Sequence, residues 1–413
     1  MPNRELNVYL NNKKVGVLRE TPSSALSFKY IDSSVAPISV RMPVSEIRYG
    51  NRYAAPYFEN LTPEGTPRKN VALHFGISEN NNFSILDKIG GDCAGAISLY
   101  SAEPNFEEIP EISHKWSEKE FVNIIKELPK NPLMVGIKNA PRLSLAGAQS
   151  KFVVRKDEQG KFWSSNEQNP STHIIKIANN MFPNLLYNEL FCMLLAKRLW
   201  PQDSCDVVLK NVLDLKYLEI ERYDRQIISG KYVRIHQEDF CQVLGVLSNK
   251  KYQDEGGPGI KNVVKAINEF NAEPAKDMLR FLQLIVFNFL IGNADAHAKN
   301  LSILHADNGI KLAPFYDLVS TEIEDENLSK TISMFINKKT TYDDIVRNDF
   351  KNLFISLELN PEMVLRNIRN KFANILQLSN ELTNELNTNE VTRSPVYEEI
   401  TNLIYRRFRV LFY

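Results

Sequence analysis

Positions 281–291 read FLQLIVFNFLI, a run with no charge and only two polar side chains, Gln283 and Asn288. A helix that is apolar on every side must be buried on every side. The run is too short to cross a bilayer, which takes about 20 such residues, and no stretch of 18 uncharged apolar residues occurs in the chain. It therefore reads as the central helix of a large helical core. Helical spacing in the segments 236–246, 260–270, 275–291 and several parts of 341–413 supplies helices to pack around it.

The residues before 236 have a different character. LNVYLNNKKVGVL alternates in two short runs about Asn11 and Asn12, a hairpin signal. ALSFKYI and ISVRMPV read as further strands, and Pro56, Pro63, Gly65 and Pro67 as loop punctuation. The stretch 101–113, with two prolines and an acidic bias, reads as a linker. Ser117 followed by Glu120 is a capping-box spacing and predicts a helix over 117–128. LSLAGAQSKFVVR, DEQGK and FWSS read as strand, turn and strand; HIIKIA as a short strand; LLYNELFCMLLAKRLW as an amphipathic helix; VVLKN and YLEIERYDR as two more strands. The fold class expected is α+β, with a mixed β-rich N-terminal part and a helical C-terminal part. At roughly 100–200 residues per domain the length allows two or three units. We divide it at 1–105, 106–140, 141–235 and 236–413.

Composition excludes several classes. Lys plus Arg equals Asp plus Glu, 50 each, so charge alone does not wrap this chain around nucleic acid. Arg366, Arg369 and Lys371 form a candidate local basic strip on a late helix. Cys93, Cys192, Cys205 and Cys241 are scattered, with no CxxC pair, which suggests neither a zinc site nor a disulfide framework. They read as reduced core residues of a cytoplasmic protein. The first residues have no apolar stretch of the kind a signal peptide needs.

Chemistry concentrates in IGNADAHAKNLSIL. After the buried helix ends near Gly292, Asp295 precedes Asn300 by five residues. That spacing serves phosphoryl transfer, where an aspartate takes the hydroxyl proton and an asparagine holds magnesium. A hairpin turning at 306–309 would place Leu304 opposite Lys311 and return Asp317 toward Asn300, so that hard oxygen donors suited to magnesium converge. Upstream, Lys176 lies inside an apolar strand, where an ammonium is costly without a partner, and Glu189 lies on the next helix. The small residues Ala146, Gly147 and Ala148 would let backbone approach phosphate, although the segment lacks a G-x-G-x-x-G pattern. Glu221 to Tyr223 suits a hinge that binds adenine. Taken singly, Asp295 and Asn300 also fit a cap and a turn, and the Asp295–His297 pair also suggests a metal hydrolase. The order of the whole set points to an ATP-dependent phosphotransferase.

The wording of SLAGAQSK, THIIKI, NELFCMLLAKRL, IERYDR, RIHQEDFCQVLG, GGPGI, IGNADAHAKNLSIL and LAPFYDLVS resembles the HipA family of serine/threonine kinase toxins. VYLNNKKVGVL, FENLTPEG and IGGDCAGAISLY resemble its N-terminal subdomain. The resemblance implies a protein-kinase-like two-lobe fold, with a mixed N-terminal part and an all-helical C-terminal part, that binds ATP and Mg2+. It implies Asp295 as the base, with Asn300 and Asp317 on the metal and Lys176 on the phosphates. It also implies a nucleotide loop of Ala146, Gly147, Ala148, Gln149, Ser150 and Lys151, with Glu221, Arg222 and Tyr223 at the adenine. His297, Ala298 and Lys299 would line the site, and Ser144 would be autophosphorylated. Its implied partners are a HipB-like helix-turn-helix antitoxin, operator DNA through the toxin–antitoxin complex, and an aminoacyl-tRNA synthetase substrate, commonly glutamyl-tRNA synthetase. A catalytically weak corepressor acting through antitoxin and DNA is the alternative. The family commonly has glutamate where Ser150 stands, a departure that bears on the loop and not on Asp295, Asn300 or Asp317.

Overall fold

The computed structural model describes residues 4–106, 108, 113–131, 150–178, 182–324 and 330–413, with the backbone alone at 143–144. The chain opens with β1 (Arg4–Leu10), β2 (Lys13–Glu20) and β3 (Leu26–Tyr30), continues through α1 (Asn51–Glu59), α2 (Gly65–Phe75) and α3 (Asn82–Ile89), and returns with β4 (Asp92–Cys93) and β5 (Ile97–Tyr100). Asn11 and Asn12 both have positive φ (48° and 63°), the two-residue turn that matches strand twist. The sheet runs β3-β2-β1-β5. Leu6, Val8, Phe28, Tyr57 and Phe58 make a separate small core between this sheet and α1.

The middle of the chain comprises α4 (Glu118–Glu127), β6 (Leu143–Ser144), β7 (Lys151–Lys156), β8 (Phe162–Trp163), β9 (His173–Ile177), α5 (Leu185–Leu199), β10 (Val207–Val212), β11 (Leu215–Glu221), β12 (Arg225–Ile228) and β13 (Lys231–Arg234). Five strands form an antiparallel sheet in the order β10-β11-β9-β7-β8. Phe121 and Ile125 of α4 pack on one face of it with Phe152, Ile175, Ile177 and Tyr217. Ser117 caps α4 through a full capping box with Glu120.

The last part holds β14 (His236–Asp239), α6 (Phe240–Leu244), α7 (Ile260–Phe270), α8 (Pro274–Ile291), β15 (Ser302–Ala306), β16 (Gly309–Leu312), α9 (Thr321–Glu324), β17 (Thr331–Ile336), β18 (Lys339–Thr341), α10 (Arg347–Ser356), α11 (Pro361–Lys371), α12 (Ile375–Thr388) and α13 (Val396–Phe412). α8 is buried along its apolar run, among α5, α7 and the C-terminal helices, as expected. Gly292 ends it at φ +74°, and a Cβ there would press against Leu403 at 2.8 Å. All four cysteines are buried, and none forms a disulfide among the described residues. No helix among the described residues is long and apolar enough to cross a membrane.

Several local expectations are corrected. ISVRMPV is no strand. The Ile38 and Val40 N–H groups donate to Tyr30 Oη and Glu238 Oε1 instead of to a sheet neighbour. The proline-rich stretch is a loop only at Pro63, between α1 and α2: Pro56 lies inside α1, and Pro67 sits in the first turn of α2, where a missing N–H costs little. The segment 236–246 starts as strand β14, because Asp239 caps α6 through a box with Gln242 and the residues before it pair with β15. The C-terminal part is therefore not all helical: a three-stranded sheet β14-β15-β16 and a β17–β18 hairpin accompany its helices.

Candidate active site

A cavity of about 600 Å³ lies where the five-stranded sheet, the α8–β15 loop and the N-terminal part meet. β9 explains how a lysine enters it. Successive side chains of a strand point to opposite faces. Ile175 and Ile177 face the α4 core, while Ile174 and Lys176 face the cavity. The Lys176 ammonium bonds to Glu189 Oε1 of α5 at 2.6 Å and to Asp317 Oδ1 at 2.5 Å. Burial pulls the ammonium toward neutrality, but Asp317 and Glu189 outweigh it and hold its pKa above the ordinary lysine value. Burial would raise Asp317, yet Lys176 and Lys151 keep its carboxyl well below the usual range. Burial raises Glu189 despite Lys176. Lys151, opposite Lys176 in the sheet, is pushed down to about 8 by burial and by the Lys176 charge.

The loop after α8 is built from its own backbone. Asn293 Oδ1 accepts from Asp295 N, Asp295 O accepts from His297 N, and His297 O accepts from Asn300 N. Asn300 Nδ2 donates to Asp295 O at 3.0 Å, which orients its amide oxygen as the atom that could ligate a metal. Asp295 is half exposed and accepts from Tyr252 Oη at 2.7 Å. His297 is buried, with Nε2 3.8 Å from Asp295 Oδ1, beyond hydrogen-bond reach. Burial lowers its pKa to about 4 against the pull of Asp295, so it is neutral at pH 7.

The hairpin register holds: Leu304 faces Lys311 and Ala306 faces Gly309. Beyond Ser302 and Ala313 the two chains part, and Phe315 pairs instead with the 203–205 segment. Asp317 then reaches Lys176 from a left-handed backbone, φ +58°. Asp295, Asn300, Asp317, Lys176, Glu221, Arg222, Tyr223, His297, Lys299 and Lys151 all line the cavity. Arg222 holds its guanidinium on Asp224 at 2.7 and 2.9 Å. Tyr223 stacks on Tyr316. Ala298 is fully buried in the core, and neither it nor Ser150 lines the cavity. Ala146, Gly147, Ala148 and Gln149 lie outside the described residues, as does the Ser144 side chain, whose backbone pairs with Cys93. In the late basic strip, Lys371 points inward to Leu199 O.

Sequence reasoning missed Glu64, Asn60, Lys251, Tyr252 and Asp239, which also line the cavity. Glu64 receives Lys299 at 2.8 Å and Lys251 at 2.7 Å. Burial would raise its carboxyl, yet the two lysines bring it to about 2. FENLTPEG and NKKYQDEGG were the signals available, but nothing in their spacing ties either to the loop at 293–300. Among the described residues no group of 3 or more His, Cys, Asp and Glu could hold a metal. Asn300 and Asp317 offer one amide and one carboxylate oxygen on one wall, hard donors that fit a magnesium ion shared with phosphates.

A lysine–glutamate pair on a sheet, bonded to the aspartate that follows the β15–β16 hairpin and sharing a cavity with a D-x-x-x-x-N loop, defines a two-lobed α+β fold of the protein-kinase-like class. A HipA-like C-terminal domain model matches residues 143–379 and a HipA N-terminal domain model residues 6–100. The chain belongs to the HipA family. It is 37% identical to the putative kinase Y4mE of Sinorhizobium fredii, over 82% of each chain. It is 31% identical to the serine/threonine-protein kinase toxin HipA of Shewanella oneidensis, over 73% of this chain and 70% of that one. It also superposes on HipA from the solved Shewanella oneidensis complex of HipA, HipB and operator DNA, with a TM-score of 0.83 and 25% identity over 97% of this chain and 96% of the other.

Proposed function

We propose that this chain is an ATP-dependent protein serine/threonine kinase and the toxin of a HipA/HipB-type pair. The observation that carries the reading is Lys176, bound at once to Glu189 and Asp317 on a cavity whose wall also bears Asp295 and Asn300. In the reaction a substrate serine oxygen attacks the γ-phosphorus and loses its proton to Asp295. The bond from phosphorus to the β,γ-bridging oxygen breaks and ADP leaves. Lys176, kept in place by Glu189, meets the phosphates; residues 146–151 are the nucleotide loop we assign to them, and Glu221, Arg222 and Tyr223 bound the adenine end. Magnesium, when bound, offsets phosphate charge, with Asn300 and Asp317 as its protein ligands.

The Shewanella relative's name as a kinase toxin, and its complex with HipB and DNA, support a helix-turn-helix antitoxin and operator DNA as partners here. The substrate we propose is an aminoacyl-tRNA synthetase, glutamyl-tRNA synthetase first, whose inhibition slows translation and favours dormancy in the cytoplasm. Phosphorylation of Ser144 would add about −1.5 to −2 charge next to the nucleotide loop and silence the enzyme.

The test is transfer of labelled phosphate from ATP, with magnesium, to candidate synthetases. The wild type is expected to label one of them and Asp295→Ala to label none. A wild type that labels no protein in a bacterial extract, itself included, refutes the reading.

A further inference from the structure

The seam between the N-terminal part and the catalytic loop is tied at one place. Asn60 Nδ2 donates to Val246 O at 2.8 Å, and Ser248 Oγ donates to Glu59 Oε1 at 2.8 Å. Lys251 Nζ donates to Glu64 Oε2 at 2.7 Å. From the other side, Lys299 places its buried ammonium 2.8 Å from Glu64 Oε1 and donates to Asn60 O at 3.3 Å. The segment 246–252 is thereby held over the catalytic loop. Its last residue, Tyr252, donates to Asp295 Oδ1 at 2.7 Å and sets its ring edge-on to His297.

We infer that Glu64 is a positioning residue for phosphoryl transfer: from outside the kinase-like lobes it holds the two lysines that flank Asp295, and through Lys251 it seats Tyr252 on the Asp295 carboxylate. The inference rests on the kinase reading above. Its physical basis is that two ammonium groups meet at one carboxylate where water is scarce. A buried charge that loses its partner must find another or leave. Asp239, whose charge acts on Lys299, and Asp295 also line the cavity, and an ammonium that moves to Asp295 would compete with Tyr252 for it. Glu64 touches neither nucleotide nor reacting atoms in this scheme. Its loss should misplace Asp295 and leave nucleotide binding at the Lys176 end of the cavity unchanged.

The experiment compares the full-length wild type with Glu64→Gln, Glu64→Asp, Tyr252→Phe and the double Glu64→Gln/Tyr252→Phe variant. Transfer kinetics, ATP affinity by calorimetry and thermal unfolding are measured for each. Misplacement of a reacting group by about 1 Å costs on the order of 100-fold. Glu64→Gln should lower kcat by roughly that factor, with ATP affinity within about twofold of wild type. Glu64→Asp should recover part of the loss. The double variant should lose less than the product of the two single losses, because both act through one chain of contacts. Equal kcat in Glu64→Gln and wild type overturns the proposal and leaves the kinase reading standing. So does a loss that tracks lowered thermal stability and is not recovered by Glu64→Asp. A wild type that binds ATP and transfers no phosphate overturns both.

Discussion

Asp317 carries two burdens in one residue. Its backbone is left-handed, a region that aspartate and asparagine tolerate and most other side chains do not, and its carboxylate is one of two that neutralise Lys176. Asp317→Asn keeps the backbone preference and the volume and removes the charge. Glu189 still partners Lys176 at 2.6 Å, so the fold should hold. Transfer should fall by about 100-fold or more, the scale at which a preorganised charge acts on a reacting phosphate. Asp317→Ala adds a backbone penalty of roughly 1–2 kcal/mol. Its melting temperature should fall below that of Asp317→Asn at similar activity. Unfolding scans beside single-turnover kinetics separate the two effects; equal melting in the two variants would count against the strain. Of this site, the sequence made Lys176 legible because an ammonium inside HIIKIA demands a partner, and Glu189 because it follows on the next helix. Glu64 and Tyr252 were not legible. Their meaning is a seam between distant segments, and no local pattern reports on that.

At the scale of elements, what could be read was whatever is decided locally. The Asn11–Asn12 turn, the 306–309 hairpin and α8 with its Gly292 stop follow from backbone preference and periodicity alone. The misreadings occur where distant partners overrule local signals. Glu238 and Tyr30 take the N–H groups of the would-be strand at 38–44, and β15 draws the first residues of the segment 236–246 into a sheet. The α4 cap is a local device that can be tested alone. Ser117 Oγ accepts from the Glu120 N–H, and Glu120 Oε2 accepts from the Ser117 N–H and hydroxyl. Ser117→Ala leaves a helix N–H without its acceptor and should cost about 1 kcal/mol in urea unfolding. α4 packs on the sheet face opposite the cavity. Transfer kinetics should therefore stay at the wild-type value, and a change in kcat would show that the sheet transmits the loss.

For the whole molecule, pH acts on the same seam that Glu64 ties. His236 begins β14, is buried, and bonds through Nε2 to Ile38 O of the N-terminal part at 2.8 Å. Burial, with His305 adding repulsion, lowers its pKa to about 3, and His297 is lowered to about 4 by burial. Both folded values lie below the ordinary value of about 6.5. Above that value both states of each imidazole are neutral and the full stability is present. As pH falls through it the unfolded chain binds protons that the fold refuses, and stability is lost until the folded values are reached. Each imidazole should contribute a loss of about 1.4 kcal/mol per pH unit across that window. The urea midpoint should therefore fall between about pH 7 and about pH 5, well above the range where Glu64, held at about 2, begins to protonate. His236→Gln keeps a donor for Ile38 O and removes one titrating group. Its midpoint should start lower at pH 7, because the side chain no longer fills the same space, yet decline less steeply with acid. Parallel slopes for His236→Gln and wild type would mean that His236 takes its proton within the folded chain, and that the contact with Ile38 yields to acid before the core does.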